Sequence, residues 1–191
     1  MSLALIVLAR QPSPGRCKRR LAATIGDQSA ARVQQRLLAH TVAVARQWQH
    51  AQAGAVVSLC LGHHQGPGGL GLRMQRQLGR AVRAGATAAV LVGSDLPGLS
   101  VQQIQQAFSA LHHAPLVLGP ACDGGYWLVG LTAAGQRQQR GRLFSGIGWG
   151  GSEVLQQTLQ QAAALQWSPQ LLRWQSDLDR IDDMAPWHGA A

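Results

Sequence analysis

Residues 3–8 form an unbroken apolar run with Ile6 and Val7 at its centre. A run of that length without polar alternation suits a β-strand covered on both faces, as in parallel sheets flanked by helices. Further strand-length runs follow at Val56–Leu61, Ala88–Val92, 116–119 and 126–131. Helical periodicity fills the gaps. Asp27 is expected to cap a long helix in which Val33, Leu37, Thr41, Val44 and Trp48 recur every three to four residues, leaving Arg32, Arg36 and Arg46 on other faces. A glycine-rich loop over 63–71 precedes a helix carrying Arg73, Met74 and Leu78, and another helix opens at Ser100 and runs to His112.

The last two long strands lie only about six residues apart, too few for a crossover of a dozen or more, so they are expected to be antiparallel neighbours. The order β-α-β-α-β-α-β-β then predicts an α/β fold with a mostly parallel, mixed sheet, in one domain over residues 1–191. Downstream, the polar and basic stretch 136–142 reads as a surface loop. A helix is expected from Gly151 or Ser152 through Ala164, and a short edge strand over 171–174. At 191 residues and 46% apolar composition the chain can furnish one sizeable core. The opening run lacks a basic region before it and meets Arg10, Arg16 and Lys18 where a cleavage site would stand, so it reads as a strand and not a signal peptide. No stretch approaches the roughly 18 apolar residues of a membrane span. Cys17, Cys60 and Cys122 are far apart with no C-x-x-C spacing, which implies neither a disulfide framework nor a zinc site and suits a cytoplasmic setting.

Two segments carry most of the chemistry. Gly93-Ser94-Asp95-Leu96-Pro97 closes the third strand with one carboxylate on a tight turn, at the carboxyl edge where open α/β sheets take their ligands. A divalent cation holding a diphosphate is the expected partner, since hard cations share oxygen ligands between a carboxylate or two and substrate phosphates. Directly after the first strand, Gly15, Arg16, Lys18 and Arg20 combine a glycine turn with clustered cations, a phosphate cradle distinct from a Walker A loop. The formal charge of +9 likewise favours an anionic partner.

Later, Asp123-Gly124-Gly125-Tyr126 forms a turn whose glycines permit close backbone approach, although Asp-Gly is also an ordinary hairpin signal. Asp177 and Asp179 alternate on an extended segment, one of them a candidate second metal ligand; as a bare pair they equally suit a helix cap before Met184. Trp149 sits in a glycine-rich loop and is expected to line a pocket, whereas the other five tryptophans read as packing. With few Phe or Tyr to stack bases and no recognised module, a nucleic-acid binder is disfavoured.

Together these segments resemble the small bacterial GT-A-like transferases known as radical-SAM/selenodomain-associated transferases or arsenosugar-biosynthesis glycosyltransferases. The resemblance runs nearly end to end. It rests on Ala9-Arg10 with Pro14-Gly15-Arg16-Cys17-Lys18-Arg19-Arg20-Leu21, on Leu70-Gly71-Leu72-Arg73-Met74, on the Asp95 turn, on Pro120 with the Asp123 turn, on Leu143-Phe144 with Trp149-Gly150, and on Asp177-Leu178-Asp179 with Asp183-Met184. It implies a nucleotide-diphospho-sugar transferase fold, a three-layer sandwich, and a metal-dependent glycosyltransferase acting on a small-molecule acceptor. Asp95, Asp123 and Asp179 would then be catalytic, with Mg²⁺ or Mn²⁺ on Asp95 and Asp179. Arg10, Gly15, Arg16, Lys18, Arg20, Arg73 and Ser94 would bind the nucleotide and its phosphates, and Gly124, Gly125, Tyr126 and Trp149 the sugar or acceptor. The chain departs from the family pattern at Arg19, Gly69, Leu72 and Gly151, which stand where relatives carry two hydroxyls and two acids. The alternatives are a guanylyltransferase-like nucleotidyltransferase, which shares the basic loop, and a catalytically impaired nucleotide-binding relative.

Overall fold

A computed structural model describes residues 2–179 and 181–183. In chain order the elements are β1 (Leu3–Ala9), α1 (Arg19–Ile25), α2 (Asp27–His50), β2 (Val56–Leu61), α3 (Leu70–Arg83), β3 (Ala88–Val92), α4 (Val101–Ala110), β4 (Leu116–Pro120), β5 (Tyr126–Thr132), α5 (Ala133–Gln139), α6 (Val154–Ala164) and β6 (Gln170–Leu171). Short 3₁₀ turns at Gly62–Gln65 and Arg142–Phe144 complete them. The six strands form one sheet in the order β2-β1-β3-β5-β4-β6. Only β5 is antiparallel: it pairs with β4 as the short connection requires, but it also inserts beside β3, so that β4 lies one place further out.

The continuous apolar run of β1 becomes a strand because both of its faces are covered. Ala4, Ile6 and Leu8 of β1 pack with Met74 and Leu78 of α3 and with Leu155 of α6, while Leu5 and Val7 pack on the other face with Val44 and Trp48 of α2 and Ile104 of α4. The result is the expected three-layer α/β sandwich. The predicted stripe of α2 points inward, with Leu37, Thr41, Val44 and Trp48 buried and Val33 half-buried, and the three arginines outside it are exposed. Trp48 stacks on Phe108 at 4.7 Å, joining α2 to α4 with about 0.5–1.5 kcal/mol beyond simple burial.

Several boundaries differ from expectation. The stretch 136–142 is largely helical: Thr132 caps α5 by accepting from the Gly135 N–H (3.0 Å), and Gln139 is fully buried, so a polar composition concealed an ordered element. Helix α1 has no counterpart in the sequence reading, although Leu21 and Ile25 at helical spacing and Gly26 just beyond are its signature. Gly26, not Asp27, occupies the cap of α2, and Asp27 sits in its first turn. Helix α6 starts at Val154, and β6 spans two residues. Trp174 is 58% exposed rather than packed; Trp187 and Met184 lie outside the described residues. Among the described residues, no helix is long and apolar enough to cross a membrane.

Candidate functional site

The carboxyl ends of β1, β3 and β4 and the start of β5 meet at one edge of the sheet, because β5 alone is reversed. Beyond Val92 the chain keeps one further bond to β5, from the Gly93 N–H to the Trp127 carbonyl (3.0 Å), and then turns through Ser94 and Asp95. Ser94 is not turned to solvent: it is 2% exposed, and its hydroxyl accepts from the amide of buried Gln34 (2.9 Å), anchoring the turn on α2. Asp95 is left half-exposed at the rim. Ser100 caps α4 reciprocally with Gln103, so the Pro97 turn leads into a fixed helix.

Lys18 is the chain's single lysine, and its backbone is left-handed at φ 47°. That conformation turns it inward. The side chain is 4% exposed, its ammonium lies 2.5 Å from Asp95 Oδ1, and it also donates to the Leu178 carbonyl. Leu178 completes the junction by donating its N–H to the Asp95 carbonyl (2.8 Å), while its side chain packs against Leu21, Ala30 and Leu37. The basic loop, the β3 turn and the late acidic segment are thus joined at one point. One turn further, Arg20 pairs with Asp179 at 2.9 Å in more exposed surroundings. Arg10 and Arg16 are exposed, and Arg73 is held by the carbonyl of Gly68 (2.7 Å).

The late segment reaches this edge by running alongside β4: Gln175 donates to the Pro120 carbonyl and accepts from the Cys122 N–H. The two alternating aspartates then part company. Asp179 goes to Arg20, and its N–H donates to Asp183 (2.8 Å). Asp177 is partly buried, which raises its pKa; the charges of Asp123 and Asp95 push the same way, against the pull of Lys18. The sequence pattern offers Asp177 or Asp179 as a second metal ligand, and the resemblance favours Asp179; in the structure it is Asp177 whose carboxyl is influenced by the charges of Asp95 and Asp123. A further unforeseen pair is Gln34 and Leu178, whose roles no local pattern encodes.

The Asp123 turn is built for packing. Asp123 Oδ1 accepts from the Gly125 N–H (2.9 Å), and Gly124, at φ 90°, lies so close to α6 that an added Cβ would fall 1.9 Å from the Ser152 carbonyl oxygen. The expected access for a ligand at Gly124 is therefore filled by the chain itself. Beside it, Tyr126 and Trp149 meet edge to face at 6.3 Å, with Phe144 behind and Gly71 closely under the Trp149 ring. The Tyr126 hydroxyl is buried near Thr158, and burial raises its pKa well above the ordinary tyrosine value. Trp149, half-buried, presents the remaining face of this cluster.

Oxygen donors dominate the edge, which suits hard divalent cations. Among the described residues no three His, Cys, Asp or Glu side chains converge on one point. The fit is therefore to a cation taking one or two carboxylates from the protein and its other oxygens from bound phosphates, the usual manner of Mg²⁺.

The profile of a family described as "Uncharacterized protein conserved in bacteria (DUF2064)" matches residues 20–151. Among solved structures, the chain is similar to a proposed nucleotide-diphospho-sugar transferase from Desulfovibrio desulfuricans G20, at 25% identity and TM-score 0.86, covering 99% of this chain and 88% of that one. It shares its fold with the manganese complex of Rv0371c from Mycobacterium tuberculosis H37Rv (16% identity, TM-score 0.52, all of both chains). The same holds for a CMP:2-keto-3-deoxy-manno-octonic acid synthetase complexed with CTP (7% identity, TM-score 0.55, 99% and 98% of the two chains). The search of curated proteins found no match.

Proposed function

The chain belongs to the bacterial DUF2064 family, and from that membership and its fold we propose that it is a glycosyltransferase drawing on a nucleotide-sugar donor. The observation that carries this reading is the Lys18–Asp95 clasp, a cation from the β1 loop and an anion from the β3 turn holding each other at the ligand-binding edge of the sheet. Each is the complement of one part of a metal–diphosphate: the ammonium suits phosphate oxygen and the carboxylate suits the metal. Entry of the donor exchanges both partners at once. Lys18 passes from carboxylate to phosphate, Arg16 and Arg20 close from the exposed side, and the Gly15 turn, Arg10 and Arg73 border the nucleotide. Asp95 would then hold Mg²⁺ or Mn²⁺, with Asp179 or Asp177 as the second carboxylate. When bound, such a cation supplies charge neutralisation of the leaving diphosphate. Asp123, exposed just before β5, is the base this reading assigns to the acceptor hydroxyl, and Trp149 with Tyr126 and the neighbouring Gly125 is assigned to the wall toward sugar or acceptor. The resemblance to arsenosugar-forming enzymes implies a small-molecule acceptor.

Because phosphate competes with Asp95 for the Lys18 ammonium and a cation competes with that ammonium for Asp95, metal and nucleoside diphosphate are expected to strengthen each other's binding reciprocally. Lys18→Ala should weaken nucleoside diphosphate binding by about 1.5–3 kcal/mol, roughly tenfold to a hundredfold, while nucleoside binding changes far less. Calorimetric titration of both ligands reads the difference. Equal losses would count against a phosphate role and leave Lys18 as a fastening for the late segment.

The second reading is nucleotidyl transfer, favoured by the fold shared with a synthetase complexed with CTP. The two differ in product. A glycosyltransferase given nucleotide sugars and Mn²⁺ is expected to release nucleoside diphosphate, slowly to water when no acceptor is present. Pyrophosphate from a nucleoside triphosphate, with no diphosphate from any sugar donor, would establish the other chemistry. A chain that binds nucleotides but yields neither product would be the impaired relative.

A further inference from the structure

Helix α5 and the 3₁₀ turn after it carry Arg137, Arg140 and Arg142 around a shallow, open cavity of about 550 Å³, completed by Ala134 and Gln138. Among the described residues none of the three guanidinium groups has a hydrogen-bond or ion-pair partner, and both ion pairs belong to the other site. No relief is near in sequence either: there is no acid from residue 28 to 94 or from 124 to 152, which includes all of α3, α5 and this turn. Three like charges in six residues repel one another, yet the backbone bearing them is held firmly. Fully buried Gln139 accepts through Oε1 from the N–H groups of Gly141 (2.8 Å) and Leu143 (3.4 Å). Arg140, between Gln139 and Gly141, is left-handed at φ 45°, a conformation L-residues avoid.

We propose that this cavity is a second anion site, separate from the Asp95 edge, for a compact ligand bearing two or more linked phosphate groups. The separation follows from register: α5 leaves β5 at Thr132, which pairs with Ala88, the end of β3 away from Asp95. Guanidinium forks match phosphate oxygens two at a time, and because the turn's backbone is already held by Gln139, binding orders only the side chains. The volume is that of a small-ligand site, on the scale of 300–1,000 Å³. No aromatic side chain lines the wall to stack bases, and Ala134 is its sole apolar member, so neither a nucleic-acid strand nor a lipid chain is the matching occupant.

Inorganic tripolyphosphate titrated into ¹⁵N-labelled protein tests the site residue by residue. Saturable shifts are expected in the amides from Arg137 to Leu143 and in the three arginine Nε–H groups. Arg137→Gln and Arg142→Gln should each weaken this binding about tenfold, with melting temperature and nucleoside diphosphate binding at the Asp95 edge unchanged. Arg140→Asn, which tolerates the left-handed backbone, gives a third variant that keeps the turn. The absence of shifts there, shifts confined to residues 10–20, or an equal loss from Arg46→Gln, an exposed arginine on α2, would overturn the proposal. So would tighter binding of a DNA duplex than of tripolyphosphate through the same arginines.

Discussion

Asp95→Asn is expected to reduce metal-dependent turnover by on the order of 100-fold or more, since a Lewis-acidic cation contributes several kcal/mol of charge stabilisation in such reactions. Asparagine keeps the size of the side chain and an oxygen for Lys18, so the fold should hold while the anion is lost. Two measurements separate the cause from general damage. Nucleoside diphosphate release followed against Mn²⁺ concentration should lose its dependence in the variant, and calorimetric affinity for nucleoside diphosphate should become indifferent to EDTA. A variant whose affinity still rises with metal as in the parent would remove Asp95 from the cation's ligands.

The second large effect falls on stability. Gly124→Ala should cost on the order of 3–5 kcal/mol, a substantial part of the roughly 5–15 kcal/mol that holds a domain together. Its Cβ would stand 1.9 Å from the Ser152 carbonyl oxygen, a backbone atom that cannot swing aside as a flexible side chain would. Gly150→Ala is the matched control: Gly150 has the same φ of 90° but nothing within 4 Å of the added carbon, so only backbone strain of about 1–2 kcal/mol applies. Urea unfolding midpoints of both variants isolate the clash, and equal losses would show that α6 retreats from the turn at no cost.

How far the sequence discloses this molecule depends on what each residue's fate is decided by. Strands β2 and β3 emerge from the pattern with their observed ends; β3 does so because burial on two faces leaves a mark in composition, whereas β2 is an edge strand whose apolar Val56 and Leu59 stay exposed. Helix α5 does not, since its buried members are Ala-like glycine and a glutamine that serves the backbone. At the candidate site, the pattern groups Arg16, Lys18 and Arg20 as one basic cluster. Which of them points inward is decided by a left-handed Lys18 and by a carbonyl 160 residues away, and neither is local information. Likewise alternation along 177–179 gives no ground for telling the two aspartates apart; what separates them is Arg20, which pairs with Asp179 and leaves Asp177 without it.

The insertion of β5 between β3 and β4 also constrains how the chain reaches this state. During synthesis β1, β2 and β3 can assemble as soon as they emerge, but the outer edge of β3 has no partner until the chain has passed Thr132, because β4 arrives first and belongs one place further out. An unpaired, wholly apolar strand edge is a template for the wrong neighbour. The interval between β3 and β5, and not the compact end state, is therefore when a nascent chain of this kind is most exposed to aggregation, and a fragment ending after β4 should aggregate more readily than the full chain.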